Sequence, residues 1–196
     1  MKTNIIVLSY GQESFTSKCF DSILENTDNY RLVWVDNGSS LESRNTVMKA
    51  FLKHENRLPI WTGTNLGFIG GVNLALEMIL EALDDEFKFV VLLNNDTEVT
   101  NNWLSDMLLA FDDERVAAVG PTTSTSGSWQ WWKNEFYNSG IAIPSDLDKT
   151  NDKNIISKRL KRIFGHKIKH VPMLAFFCTV FRRSIFEEVG LLDTRF

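Results

Sequence analysis

Cysteine is scarce in this chain, with two residues, Cys19 and Cys178, among 196. One falls on an expected helix and the other in an apolar run, far apart. A disulfide scaffold is disfavoured, and two buried reduced thiols of an intracellular protein are expected. No apolar run approaches the ~18–20 residues that span a bilayer. The start, Met1-Lys2-Thr3-Asn4, leads into only a short apolar run, without the long apolar region and cleavage site of a signal peptide. A cytoplasmic location follows as the expectation. There is no Gly-Lys-Ser/Thr phosphate loop and no spaced Gly-x-Gly-x-x-Gly, which disfavours a P-loop NTPase and a dehydrogenase. His54, His166 and His170 lack metal-ligand spacing. Internal repeats and low-complexity tracts are absent.

What is present is a chain of ordinary globular composition, 43% hydrophobic, long enough for a substantial core. Its net charge of −4 hides an asymmetry. Residues 1–152 carry 22 acids against 11 bases, whereas residues 153–183 carry nine bases and no acid. A cationic stretch on an acidic body suits an anionic partner, or simply a solvated face that offsets the body. Nucleic acid is a poor fit, because the stretch is short and the body acidic.

Apolar runs at Asn4–Ser9, Arg31–Val35, Leu58–Trp61, Phe87–Leu93 and Val116–Val119 read as strands. Helical spacing marks residues 14–26 (with Ser14 as cap), 42–54, 68–83 and 101–112 between them. A strand about every 30 residues, alternating with helices, argues for βαβ units and a mostly parallel sheet flanked by helices. The regularity stops near residue 121. Residues 122–154 read as a long loop or small excursion, Lys169–Arg182 as a further strand interrupted near Pro172, and Ser184–Val189 as a short helix. We therefore expect one domain over 1–196, with a βαβ core over 1–121 and an irregular region over 122–196.

Three polar runs follow strands: Asp36-Asn37-Gly38-Ser39-Ser40, Asn65 through Asn73, and Asn94-Asn95-Asp96-Thr97. In a parallel sheet such loops open on one edge, where ligands bind. Asp36 can accept from a ribose hydroxyl or a base N–H, or cap its own turn. Gly67, Gly70 and Gly71 bare a helix N-terminus for a phosphate, or let that helix pack closely on the sheet. Asp96 leaves a buried strand as a hard oxygen ligand for Mg²⁺ or Mn²⁺, or caps the next helix. Together they suggest a nucleotide diphosphate held partly by a divalent cation.

The ordered segments Val7-Leu8-Ser9-Tyr10, Val35 through Ser40, Asn65 through Asn73 and Leu92 through Val99 resemble the family-2 glycosyltransferases with the GT-A (Rossmann-like) fold. The similarity is greatest to their rhamnosyltransferase-like branch. Phe177 through Arg183 and Glu188 through Asp193 fit as well. The resemblance implies inverting, metal-dependent transfer of a sugar from a UDP- or dTDP-sugar to a saccharide or lipid-linked acceptor, as in polysaccharide biosynthesis. It implies that the core over 1–121 binds the nucleotide and that 122–196 is an acceptor-side region, incomplete. It implies that Ser9 and Tyr10 line the base and that Asp36 binds base or ribose. Asn65, Gly67, Gly70, Gly71 and Asn73 would lie near ribose and diphosphate. Asn94, Asn95 and Asp96 occupy the Asp-x-Asp position, with Asn94 replacing its first acid and Asp96 holding Mn²⁺ or Mg²⁺. In that branch an acidic motif after the segment resembling Gly190–Phe196 supplies the base. Here Asp193 is the nearest spare carboxylate, and a truncated, donor-binding chain is the expectation. A nucleotidyltransferase shares the nucleotide and metal needs, but Gly11-Gln12 is a poor match to its early phosphate loop.

Ile155–His170 places Ile156, Leu160, Ile163 and Phe164 at helical spacing among Lys and Arg. Such a segment can pack on the sheet, or touch the inner face of an anionic membrane. Trp129, Trp131 and Trp132 can stack on a sugar or fill a core.

Overall fold

The computed structural model describes residues 2–82, 84–124, 130–165 and 167–195. Leu83, Trp129 and His166, singled out above, lie outside the described residues. Strands β1 (Lys2–Ser9), β2 (Tyr30–Asp36), β3 (Arg57–Trp61) and β4 (Phe87–Asn94) alternate with helices α1 (Glu13–Asn26), α2 (Leu41–Phe51) and α3 (Gly67–Glu81). Then come α4 (Trp103–Leu108), a 3-10 turn at Leu109–Asp112, β5 (Ala118–Val119), α5 (Lys133–Ser139), α6 (Ser145–Asp148), α7 (Lys153–Phe164), β6 (Cys178–Arg182) and α8 (Arg183–Val189).

The six strands form one sheet in the order β3-β2-β1-β4-β6-β5. The first four run parallel; β6 is antiparallel to β4 and to β5. The chain steps outward from β1 to β3, and α3 then carries it back across to β4. That reversal puts a switch point between the carboxyl ends of β1 and β4, the place where such sheets bind ligands.

Both faces of the strands are apolar because both are covered. Ile5, Val7, Leu32, Trp34, Phe89, Val91 and Leu93 face Phe20, Val47, Phe51, Trp103 and Met107 of α1, α2 and α4. Ile6, Val33, Val35, Val90 and Leu92 face Val72, Ala75, Leu76 and Ile79 of α3 and Phe186 of α8.

Some expectations change. Helix α1 starts at Glu13, and its cap is Gln12 in the left-handed region, without a side-chain bond; Ser14 lies inside the helix. Of the two readings for 122–154, the described residues 130–154 fit the small excursion. Helices α5, α6 and α7 enclose a small core of Trp132, Phe136, Leu147 and Ile156. Trp132 is thus core, while Trp131 is half-buried against Tyr137. The run Lys169–Arg182 becomes a strand only from Cys178, where it reaches the register of Leu93. Pro172 lacks the N–H that a ladder needs.

The basic stretch is mostly used inside the molecule. Lys153 pairs with Glu98, Arg159 with Asp146, Lys161 with Asp106, and Lys167 and Lys169 with Glu135. Arg182 donates to the carbonyls of Phe111, Asp113 and Val116, and Arg183 to those of Leu80, Ala82 and Asp84. The two neighbours thus secure the turn after α4 on one face of the sheet and the end of α3 on the other. Both cysteines are free and buried, and burial pushes their thiols up. Among the described residues, no helix is long and apolar enough to cross a membrane.

His54 packs under α1 with Nδ1 at 2.6 Å from the Tyr30 hydroxyl. Its Nε2 is buried without a hydrogen-bond partner among the described residues. Burial pushes its pKa down from 6.5 to about 4. Between those values the unfolded chain binds a proton that the folded one refuses, so stability falls as pH drops through that window. We expect Tm to decline from pH 6.5 toward pH 4 and the decline to flatten in His54→Phe. An equal slope in that variant would assign the acid sensitivity elsewhere.

Candidate active site

All four parallel strands end on one edge. In register, Ser9 lies beside Asp36, Asp36 beside Trp61, and Leu8 beside Asn94. Their loops therefore open side by side.

At the end of β1, Ser9 is a support. Its hydroxyl accepts from Trp34 Nε1 at 2.8 Å, and its carbonyl accepts from Asn37 N at 2.8 Å. Tyr10, the next residue, is exposed with its ring available to a ligand. Gly11 N donates to Ser39 Oγ at 2.9 Å, joining the first loop to the second.

Asp36 is fully buried. Its Oδ1 accepts from Ser39 N at 3.2 Å and its Oδ2 from Arg44 Nε. The Arg44 guanidinium also lies over the Trp61 ring, 5.0 Å from its centroid. A buried carboxylate is tolerated only when paired and hydrogen-bonded. Arg44 is the functional neighbour that the motifs did not reveal. The available signal was chemical: an acid at the end of a buried strand needs a cation, and Arg44 stands on the helix that follows.

The third loop is held by Asn65, whose Oδ1 accepts from Gly67 N at 2.8 Å. Gly67 begins α3 with φ +72°, and the helix has neither a side-chain cap nor an acid in its first turn. The glycines divide by role. A Cβ on Gly67 would meet nothing within 4 Å, so its position leaves space above the helix end. A Cβ on Gly71 would sit 2.3 Å from Leu8 Cδ1, so this glycine serves close helix–sheet packing. Gly70 lies between them, next to Leu66. Asn73 is also occupied. Its Nδ2 donates to Leu192 O at 2.8 Å and its Oδ1 accepts from Leu192 N at 3.0 Å. This clamp between α3 and the segment after α8 engages both ends of its amide.

At the end of β4, Asn94 N donates to Phe177 O at 2.8 Å, and Asn94 O accepts from Thr97 N at 3.1 Å. Asn95 Nδ2 donates to Thr16 Oγ1 at 2.9 Å, tying this loop to α1. Asp96 is exposed, and no hydrogen bond or ion pair engages its carboxylate among the described residues. It is not a helix cap, since α4 is preceded by Asn102. Among the described residues no three His, Cys, Asp or Glu side chains converge as a metal cage. A single carboxylate fits a hard cation that arrives with phosphate oxygens, because Mg²⁺-type ions take one or two carboxylates and fill the rest with substrate and water.

Asp193 is not spare. Arg195 donates to it from N, Nε and Nη2, at 3.0, 2.9 and 2.5 Å. The guanidinium beside it holds its carboxyl below the ordinary carboxylate range, which weakens it as a base.

The profile of Glycosyl transferase family 2 matches residues 4–190. The chain belongs to this family. Its fold is GT-A, as solved structures show. The mannosyltransferase PcManGT from Pyrobaculum calidifontis, in complex with GDP-Man and Mn²⁺, aligns with a TM-score of 0.68 at 18% identity, over 98% of this chain and 48% of that one. TarS 1–349 from S. aureus, with UDP, aligns at 0.61 and 17% identity, over 96% and 48%. GalNAc-T7 with UDP, GalNAc and Mn²⁺ aligns at 0.65 and 15%, over 98% and 37%. The chain thus spans about half the length of the first two and less of the third. No curated protein matches it in sequence.

Proposed function

We propose that this chain binds a nucleoside-diphosphate sugar across the carboxyl edge of the sheet and takes part in inverting, metal-dependent transfer to a saccharide or lipid-linked acceptor. The observation that carries this is Asp96, an exposed carboxylate without a partner at the β1/β4 switch point, beside loops otherwise bonded to one another. Tyr10 offers its ring to the base. The first turn of α3, bare at Gly67, faces the diphosphate, where backbone amides and the helix dipole favour an anion. Asp36, Ser9 and Arg44 hold the base end of the site in shape from beneath. Asp96, with Asn94 and Asn95 bracing its loop, would hold Mn²⁺ or Mg²⁺, which when bound neutralises charge on the departing diphosphate.

The state of Asp193 favours a second reading, donor binding without turnover. A carboxylate tied to Arg195 is a poor acceptor for the proton of an attacking hydroxyl. Peripheral contact with an anionic cytoplasmic membrane face falls, in either reading, to the exposed Ile155, Lys158, Arg162 and Ile163 of α7.

The test is a thermal-shift panel of UDP, dTDP, GDP and CDP, with and without Mn²⁺ or Mg²⁺. The solved relatives hold GDP-Man or UDP, so both bases belong in it. Ligand at ~100 times its Kd should stabilise the fold by ~2.7 kcal/mol. A metal-dependent shift for one nucleotide is the expected result. No shift with any of them would overturn the reading.

A further inference from the structure

One buried side chain ties the second loop of the edge to the third. Asn37 is 2% exposed. Its Oδ1 accepts from the backbone N of Leu66 at 2.9 Å. Its Nδ2 donates to the carbonyl of Gly67 and to Asn65 Oδ1, both at 3.0 Å. A main-chain donor at one end and a main-chain acceptor at the other leave a single orientation for the amide. Thr62 adds little here. Its one hydroxyl proton goes to Thr64 O at 2.6 Å rather than to Asn37 Oδ1 at 3.4 Å.

Asn37 also packs beside the first turn of α3. A Cβ on Gly71, one turn into α3, would lie 3.5 Å from the Asn37 carboxamide carbon. Gly38 runs close to the main chain of Thr64 and Asn65, where a Cβ would not fit. Helix α3 starts without a side-chain cap of the usual kind. Its position relative to β2 is set instead by a side chain from another loop.

We propose that Asn37 is a positioning residue for the phosphate end of the substrate: it fixes the Thr62–Gly67 loop and the start of α3 against β2. This rests on the reading of the sheet edge as a nucleotide site. Asn37 need not touch the ligand. It holds in place the helix start whose following amides would.

Asn37→Asp keeps the shape but turns the donor into an oxygen, set against the Gly67 carbonyl and Asn65 Oδ1. Asn37→Ser removes those two bonds and also the one accepted from Leu66 N, without adding charge. Three measurements separate positioning from general destabilisation: amide hydrogen exchange on the unliganded protein, NMR titration with uridine and guanosine, and titration with UDP and GDP in the presence of Mn²⁺. In both variants we expect exchange at Leu66 and Gly67 to rise by about tenfold or more, as loss of one to two net hydrogen bonds allows, while β1, β2 and β4 stay protected. Affinity for the nucleoside diphosphate should fall by about tenfold, and affinity for the nucleoside should stay within about threefold.

Unchanged exchange at Leu66 and Gly67 would overturn the proposal, as would equal losses for nucleoside and diphosphate. If Asn37→Asp loses protection across the whole sheet, Asn37→Ser decides by the same criteria. Wild-type protein that binds no nucleotide overturns the functional reading. The exchange measurement then still accepts or rejects the hold of Asn37 on the loop.

Discussion

Replacing Asp96 with alanine should remove metal-dependent nucleotide binding and sugar release while leaving the fold unchanged. The carboxylate is exposed and bonded to nothing else among the described residues, so its loss has no structural price beyond the ~0.5 kcal/mol typical of surface changes. Its chemical cost is large. Among the described residues no group of three metal-ligating side chains stands ready to replace it. A cation deprived of the Asp96 carboxylate would stabilise less of the charge that develops on the diphosphate, a contribution of several kcal/mol. We expect release of nucleoside diphosphate from the donor to fall by about 10³-fold, about 4 kcal/mol at 1.36 kcal/mol per tenfold. Asp96→Asn should behave like Asp96→Ala, because an amide is a poor ligand for a hard cation. The check is diphosphate release with Mn²⁺, alongside Tm. An Asp96→Ala protein within threefold of wild type would show that the metal is held elsewhere or is not used.

The second large effect belongs to Gly38. Its φ of +84° lies in the left-handed region, and a Cβ there would come to 2.6 Å from Thr64 C and 2.7 Å from Asn65 N. Both neighbours are main-chain atoms and cannot rotate away. Gly63 offers an internal control: its φ is +73°, yet a Cβ would meet nothing within 4 Å. Gly63→Ala should therefore cost only the backbone term, ~1–2 kcal/mol. Gly38→Ala adds overpacking of ~1–3 kcal/mol. At ~2–4 °C per kcal/mol for a chain of this size, Tm should drop by about 5–15 °C for Gly38→Ala and about 3–6 °C for Gly63→Ala. The clash pushes on Asn65, so nucleotide binding should weaken in Gly38→Ala alone. Equal Tm losses in the two variants would mean that the loop gives way without cost.

The parallel half of the fold was legible because its signal is doubled. Strands covered on both faces, such as Phe89-Val90-Val91-Leu92-Leu93, are unbroken apolar runs, and the helices between them carry stripes. The carboxyl-edge loops followed from that order. The later part was legible only in places, among them the strand ending at Arg182 and the helix after it, for identifiable reasons. Helices α5 and α6 are seven and four residues long, too short for a periodic stripe. The apolar run around Cys178 reads as a strand, but nothing in it gives the antiparallel direction. At the site, identity was easier to read than role. Asn73 and Asp193 stand in motif positions, yet Leu192 and Arg195 occupy them. The Leu192 contact depends on how the last residues fold back on α3, which no local pattern records, whereas Arg195 reaches Asp193 from two residues away. Arg44 and Asn37 act through partners in other loops, and spacing alone does not join them.

The place of β6 has a consequence for the newborn chain. Strands β1 to β4 are complete once residue 94 has been made, and their ladders need nothing later. The outer edge of β4, however, pairs Phe89 with Arg182 and Leu93 with Cys178. Until those residues leave the ribosome, β4 is an apolar edge strand with its hydrogen bonds unmet, open to pairing with another chain. Closing it requires a long loop, and at ~5–20 residues per second the exposure lasts several seconds. The same two arginines that secure the faces of the sheet arrive with that strand, so closing the edge and locking α3 and the turn after α4 become a single late event.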